Sequence, residues 1–411
     1  MTSIAPRTPR HGRAALAFVA VTVCLDSVAQ SISFPILPRL TQSLLGGDLP
    51  SAARWVGVLE VAWAIPMFLA APVLGLLSDR FGRRPVIVLS VFGVGAELVM
   101  GALAPNVWWL LAARVLCGLT CGAQAAAMAY VADVTPPEGR TRAFGLLTAA
   151  LWAGVVVGPA LGGLLTTFGL RAPFWAAAAF ALANGVYGLV VLPESLPRVA
   201  RAPLDWSKAS PWAAVDLLVR RPGLPALAAA LLLLWLAFQA KDNMLVLYTA
   251  YRYAWTPITF GVFATVLAVS SIAVQAGLAG RVTRWIGEGR AVVCGLALQV
   301  AGFLALGLAP TGLWFWAANL PIVLGEVARP ALQSLMSAKV GPDEQGRLQG
   351  AIGSISSLTS IAAPLVFAQI FAWSVGPGRG GGWSGATILA GAALNLAALV
   401  LVAGRRRTNT A

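Results

Sequence analysis

Residues 75–85 read Gly75-Leu76-Leu77-Ser78-Asp79-Arg80-Phe81-Gly82-Arg83-Arg84-Pro85. This charged turn lies between two long apolar runs, residues 55–77 and 86–104. A helix crossing a bilayer needs roughly 20 apolar residues, so the pattern predicts two spans joined by a short polar loop. Gly75 and Gly82 permit a close helix approach or a tight turn. Asp79 can pair with a neighbouring arginine or sit against a helix N-terminus. Topology alone asks only for basic residues here. The added Gly/Asp frame favours a loop that also gates.

The rest of the chain continues the pattern. Of 411 residues, 58% are hydrophobic and 11% are charged, with a mean hydropathy of +0.80. Soluble domains carry about 25% charged residues and could not hide so much apolar side chain. Twelve spans are expected, at about 14–37, 55–77, 86–104, 107–131, 144–167, 172–192, 225–249, 258–279, 291–309, 312–337, 350–373 and 384–403. The runs are continuous, without the ten-residue alternation of a β-barrel. The first run contains Asp26, which a removable signal peptide would avoid.

The net charge of +14 comes from 29 basic against 15 acidic residues. With the N-terminus inside, 21 of those 29 fall on cytoplasmic segments, among them Arg80, Arg83, Arg84, Arg140, Arg142, Arg281, Arg284 and Arg405–Arg407. Only Arg39, Arg54, Arg171, Arg252 and Arg379 fall outside, which places both termini in the cytoplasm. The expected fold is an all-α integral membrane protein, multi-pass in a bacterial inner or plasma membrane. It has a tail at 1–13, a six-helix bundle at 14–192, a Pro- and Arg-rich linker at 193–224, a second six-helix bundle at 225–403 and a basic tail at 404–411. The halves repeat at an offset of 205: Gly75, Gly82, Arg142, Gly145 and Pro159 map onto Gly280, Gly287, Arg347, Gly350 and Pro364. Two parallel repeats suit a transporter with its site at their interface.

Several chemistries are excluded. His11 is the sole histidine, so a Ser/His/Asp triad or a zinc site is not expected. Cys24, Cys117, Cys121 and Cys294 lie in apolar spans and read as small hydrophobes. No soluble basic domain exists to bind nucleic acid. No phosphate-binding loop exists to hydrolyse ATP. The protein is expected to be no enzyme, to use no cofactor or metal, and to act as a monomer in the lipid bilayer. An ion gradient or a partner then supplies its energy.

Ionisable groups inside spans are expensive and mark function. Five acids (Asp26, Glu60, Glu97, Asp242 and Glu326) face three bases (Arg114, Lys241 and Arg329), so not every acid has a permanent partner. Glu60 is read as snorkelling from a span end. Burial disfavours a charged carboxylate and a cation favours it, so a carboxyl with a movable partner can carry a proton. Glu326 and Arg329 stand at i,i+3 and either pair or serve the site. Lys241 and Asp242 are adjacent and would point about 100° apart on a helix. Span 5 carries Gly145, Gly154, Gly158, Pro159, Gly162 and Gly163, a thin and bendable helix.

The Gly75–Arg84 loop resembles that of the major facilitator superfamily, where it latches the halves on the cytoplasmic side. The Gly145–Gly163 spacing resembles the family's antiporter signature, which implies export, and Arg114 resembles its span-4 arginine, tied to proton coupling. Within that family the chain is similar to the tetracycline–proton antiporters over nearly its whole length. Leu25-Asp26 with Pro35 and Pro38, Glu97, Gln239, Pro330–Gln333 and Gln345–Gly350 carry this likeness. Those pumps have a histidine in span 8 where Ser271 stands, and an aspartate in span 9 where Gln299 stands. The resemblance implies a proton-coupled exporter of a small amphipathic drug, working by alternating access. Asp26, Glu97 and Arg114 would couple protons. Gln30, Gln239, Lys241, Asp242, Glu326, Arg329 and Gln333 would line the substrate cavity. Asp79, Arg83 and Arg84 would close the inner gate. Export of another drug or natural product is the alternative, ahead of a proton-coupled importer or a non-transporting sensor.

Overall fold

The computed structural model describes residues 9–197, 201, 218–219, 221, 223–341, 344–376 and 384–408. The expected tail at 1–13 and linker at 193–224 lie largely outside the described residues, as do residues 409–411 of the basic tail. Among the described residues every regular element is helical. In chain order these are α1 (Pro9–Ser33), α2 (Leu37–Leu44), α3 (Leu49–Phe81), α4 (Arg83–Leu103), α5 (Val107–Thr120), α6 (Ala123–Val134), α7 (Arg140–Leu165) and α8 (Ala172–Val190). Then follow α9 (Pro225–Asp242), α10 (Leu245–Tyr253), α11 (Pro257–Ala273), a π-helical turn at Val274–Leu278, α12 (Ala279–Ile286) and α13 (Glu288–Gly307). The chain closes with α14 (Gly312–Gly325), α15 (Ala328–Ser337), α16 (Gln345–Ser374) and α17 (Ala386–Thr408).

The helix starts are written into the sequence. The Asn106 side chain accepts from the Trp109 amide at 3.1 Å, and the Thr311 hydroxyl from the Trp314 amide at 3.4 Å, each capping a helix. Pro173, Pro225 and Pro257 sit in first turns, where their missing N–H leaves no bond unmade. Leu69 (62% exposed), Phe168 (82%) and Leu313 (81%) face outward, as only a protein solvated by lipid tolerates on this scale. This is a multi-pass membrane protein.

Eleven stretches are long and apolar enough to cross a membrane. The expected span at 312–337 is not one helix. It falls into α14, of 14 residues, and α15, of 10. Pro330 explains the break: it has no N–H for the Glu326 carbonyl, and its ring would collide with that carbonyl in a continuous helix. The chain therefore opens at Glu326–Val327. The Gln299 side chain donates to the Gly325 carbonyl at 3.2 Å and supports the opening. Gly325 carries no Cβ, which would lie 2.6 Å from the Gln299 side chain. Span 4 opens likewise at Cys121–Gly122, where the Gly122 amide donates to the Ser90 hydroxyl at 3.1 Å. Both openings satisfy backbone groups that hydrocarbon would leave stranded.

Helix bounds recur 205 residues later. Arg83 and Glu288 start α4 and α13, Val107–Thr120 and Gly312–Gly325 bound α5 and α14, and Ala123 and Ala328 start α6 and α15. Arg140 and Gln345 start α7 and α16. Gly82 (φ +114°) and Gly287 (φ +79°) turn the chain at matching points in the left-handed region that favours glycine.

The chain forms two compact units: Met1–Leu37 with Ile65–Ser210, and Pro38–Ala64 with Pro211–Ala411. In the first, α1 packs along α7 and α8, and α4 along α5 and α8. Its core includes Val19, Val23, Leu74, Ile87, Tyr130 and Leu147. In the second, α9 packs along α16 and α17, and α13 along α14 and α17. The early segment joins this second unit by its contacts. Arg39 donates to the Trp255 carbonyl at 2.6 Å, and Ala53 and Val56 share a core with Tyr248, Phe303, Phe315 and Phe371. Because α3 starts at Leu49, Glu60 lies well inside the helix and not near its end.

The α1–α7 seam sets glycines of α7 against the main chain and serine Cβ atoms of α1. A Cβ on Gly154 would lie 2.6 Å from that of Ser27 and 2.8 Å from the Cys24 carbonyl oxygen. One on Gly158 would strike Ser31, and one on Gly162 the Ile32 carbonyl. Gly145 has open space, so that position does not need glycine for packing. Gly162→Val should therefore lower the thermal midpoint of purified protein by an amount equivalent to about 1–3 kcal/mol, while Gly145→Ala leaves it unchanged. Equal midpoints for the two variants would refute the seam.

Candidate functional site

In the first unit, Asp26 lies on α1 beside the glycine seam. Gln30 Nε2 donates to Asp26 Oδ2 at 2.7 Å, one helical turn away. Asp26 Oδ1 is buried with no hydrogen-bond partner among the described residues. Ser27, the next residue, donates to the Leu151 carbonyl at 2.8 Å and ties α1 to α7. Glu97 on α4 and Arg114 on α5 form an ion pair of 2.9 Å, with side chains 14% and 16% exposed. Arg114 thus engages Glu97, and Asp26 has an amide in place of a cation. The pair links α4 to α5 by charge.

The 75–85 loop turns at Gly82, where a Cβ would run into the Glu194 carboxylate. Glu194 Oε1 accepts from the Arg83 amide (2.9 Å) and the Leu196 amide (3.0 Å). The Arg83 guanidinium spans Asp79 (2.5 Å), Ser78 (3.2 Å) and Asp133 (3.2 Å), and Ser195 donates to the same Asp133 oxygen at 3.0 Å. Arg84 donates to the carbonyls of Gly188 and Leu189 at the end of α8, a position that suits a cation. Arg80 is exposed. Gly75, expected to allow a close approach, has nothing within 4 Å of a Cβ position, because α3 leaves that face open. These contacts all lie in the first unit. Asp133, Glu194 and Ser195 were invisible as site residues. Pro193-Glu194-Ser195 reads as the start of a linker, and only the fold brings it to Gly82.

In the second unit, Lys241 Nζ and Asp242 Oδ1 are 3.2 Å apart. Their separation on an ideal helix is overcome because α9 ends here and the lysine chain is long. Lys241 is 3% exposed, with its ammonium 5.4 Å from the Phe238 ring centroid. Gln239 Nε2 reaches the Ser360 hydroxyl at 3.4 Å. Glu326 and Arg329 do not pair. Arg329 lies over the Trp235 ring at 5.1 Å, while Glu326 accepts from the Ser271 hydroxyl (2.9 Å) and Gln275 Nε2 (3.0 Å). The break at Glu326–Val327 turns the two side chains apart. Gln333 is half-buried on α15. Ser271 and Gln299, the two departures in the sequence, both meet the span-10 opening. Gln275 carried no signal, since a lone glutamine in an apolar run is mute without its partner. Among the described residues no three His, Cys, Asp or Glu side chains cluster as a metal site requires.

Comparison with known proteins agrees with this architecture. The profile of the Major Facilitator Superfamily matches residues 19–364. The chain is 35% identical to the class C tetracycline resistance protein of Escherichia coli, covering 94% of this chain and 95% of that one. It is 31% identical to the class G tetracycline resistance protein of Vibrio anguillarum, covering 95% and 97%. The crystal structure of the human organic anion transporter MFSD10 (TETRAN) superposes with a TM-score of 0.67 at 24% identity, covering 96% of this chain and 100% of that chain, which speaks to the fold alone. With its all-helical units, broken intramembrane helices and charged turn at Gly82, the chain belongs to the Major Facilitator Superfamily of transporters.

Proposed function

We propose that this protein is a proton-coupled antiporter that exports a small amphipathic drug of the tetracycline type by alternating access. Asp26 carries the reading. It is an intramembrane carboxylate with a neutral partner on one oxygen and none on the other, in a chain 35% identical to a tetracycline resistance protein. A carboxylate so placed gains a proton without breaking an ion pair. One proton bound from outside and released to the cytoplasm would accompany each outward movement of drug. Glu97 joins the cycle only when Arg114 leaves it. Of the residues expected to line the cavity, Gln30, Gln239, Asp242, Glu326, Arg329 and Gln333 keep some exposure for a substrate, while Lys241 is buried.

We also take the 205-residue recurrence of helix bounds as the trace of a duplication, giving two six-helix bundles with both termini cytoplasmic. The glycine seam between α1 and α7 supports export, since it joins the Asp26 helix to a bendable neighbour. A different drug or natural product is the second reading. The Asp242 carboxylate, 30% exposed beside the buried Lys241, favours it by offering a substrate a charged contact.

Everted vesicles with an acidic interior and a pH-sensitive dye test this. Adding tetracycline with magnesium should release protons from wild type and not from Asp26→Asn. A response to another compound alone would keep antiport and discard the substrate. Silence across a broad panel, with the protein present in the membrane, would sink the proposal. In the same assay Gly82→Ala should lower the rate about tenfold or more, because φ +114° and the Glu194 carboxylate both oppose a side chain. Arg80→Ala should stay within about twofold of wild type, as surface substitutions do.

A further inference from the structure

The membrane carboxylates with known partners fall into two chemical kinds. Glu97 is held by Arg114, and Asp242 by Lys241. Arg and Lys only donate and keep their charge, so protonating either carboxylate would end the ion pair and leave a buried cation without a counter-charge. Asp26 and Glu326 have neutral partners instead: Gln30 for one, Ser271 and Gln275 for the other. A hydroxyl donates or accepts by rotating, and a primary amide presents either its N–H or its oxygen. A carboxyl among such partners is hydrogen-bonded both with and without its proton.

The surroundings of Glu326 reinforce this. It stands at the opening of span 10, with its main chain freed by Pro330 and the preceding carbonyl held by Gln299. Gln275 comes from the π-helical turn between α11 and α12, an irregular segment at which a helix can shift register. The charged groups on packed neighbours are otherwise engaged or distant in the fold. Lys241 and Asp242 on α9 pair with each other, and Arg329 on α15 stacks on Trp235. Glu288 at the start of α13 takes the Ser334 hydroxyl, and Arg290 on the same helix is exposed. On α12, Arg281 and Arg284 donate to the carbonyls of Gly277 and Gly280. α11 carries no charged residue. Among the described residues no cation forms an ion pair with Glu326.

We infer that Glu326 is a second proton-carrying carboxylate, with Ser271 and Gln275 as its reversible partners, so that each unit holds one switchable acid. This rests on the antiport reading. In one step Glu326 takes a proton from the outer side and becomes neutral; in the other it returns that proton to the cytoplasm and becomes the carboxylate again.

Two measurements on full-length protein in lipid decide it. The first is infrared difference spectroscopy between acid and alkaline pH, which reads the protonated carboxyl band without needing transport. Wild type should show a band that disappears in Glu326→Gln, shifts in Glu326→Asp, and moves in Ser271→Ala as its hydrogen bonding changes. The second compares proton release driven by tetracycline with magnesium against drug exchange at equal pH on both sides. Glu326→Gln should lose about tenfold or more of the former and retain the latter within about twofold. An unchanged infrared band overturns the inference, as does unchanged proton release. Loss of both proton release and exchange would make Glu326 a substrate or folding residue and also overturn it. If wild type moves no protons with any compound, the antiport reading fails, and the infrared band alone then decides whether Glu326 titrates.

Discussion

Hydrocarbon offers no hydrogen bonds, and every main-chain N–H and C=O in a span must find its partner in the protein. That constraint governs where this chain is permitted to depart from helix. The openings at Cys121–Gly122 and Glu326–Val327 each recruit one polar side chain from the helix packed alongside, Ser90 in the first unit and Gln299 in the second. The two solutions differ in chemistry: a hydroxyl accepts from an amide in one, and an amide donates to a carbonyl in the other. They occupy matching points of the 205-residue register. A break without such a partner would strand polar backbone in lipid. The irregular segments and the charged residues therefore gather in the same places.

The same scarcity of partners sorts the charges. Cations within the spans are each met by an acid or an aromatic face: Arg114 by Glu97, Lys241 by Asp242 and Phe238, Arg329 by Trp235. Acids outnumber those cations, and Asp26 and Glu326 are supported by neutral side chains. At the charged turn around Gly82, between two spans, the logic relaxes. Arg83 there collects several oxygens at once, and the Glu194 carboxylate serves as a bracket for main-chain amides.

Much of this was legible in the residues alone. The spans, the Gly82 turn, the thin seam helix and the register of 205 follow from local pattern, because lipid imposes one period and one length on every span. The opening of span 10 was legible too, since Pro330 fixes it, yet a continuous apolar run masked it. Pairings across helices were not. Glu97 and Arg114 are 17 residues apart on different helices, and nothing in either span names the other. Glu326 and Arg329 have ideal spacing for a pair and ignore each other, because a main-chain break outweighs a side-chain rule. Glu194 hid in a stretch whose composition says only linker.

The seam between α1 and α7 has a consequence for inheritance. Where two helices meet through Gly154, Gly158 and Gly162, the glycines lie against the α1 main chain and the Cβ atoms of Ser27 and Ser31. Any replacement of these glycines adds atoms there, and each addition crowds α1. Lineages descended from this chain should keep that seam frozen while the polar residues of the second unit vary.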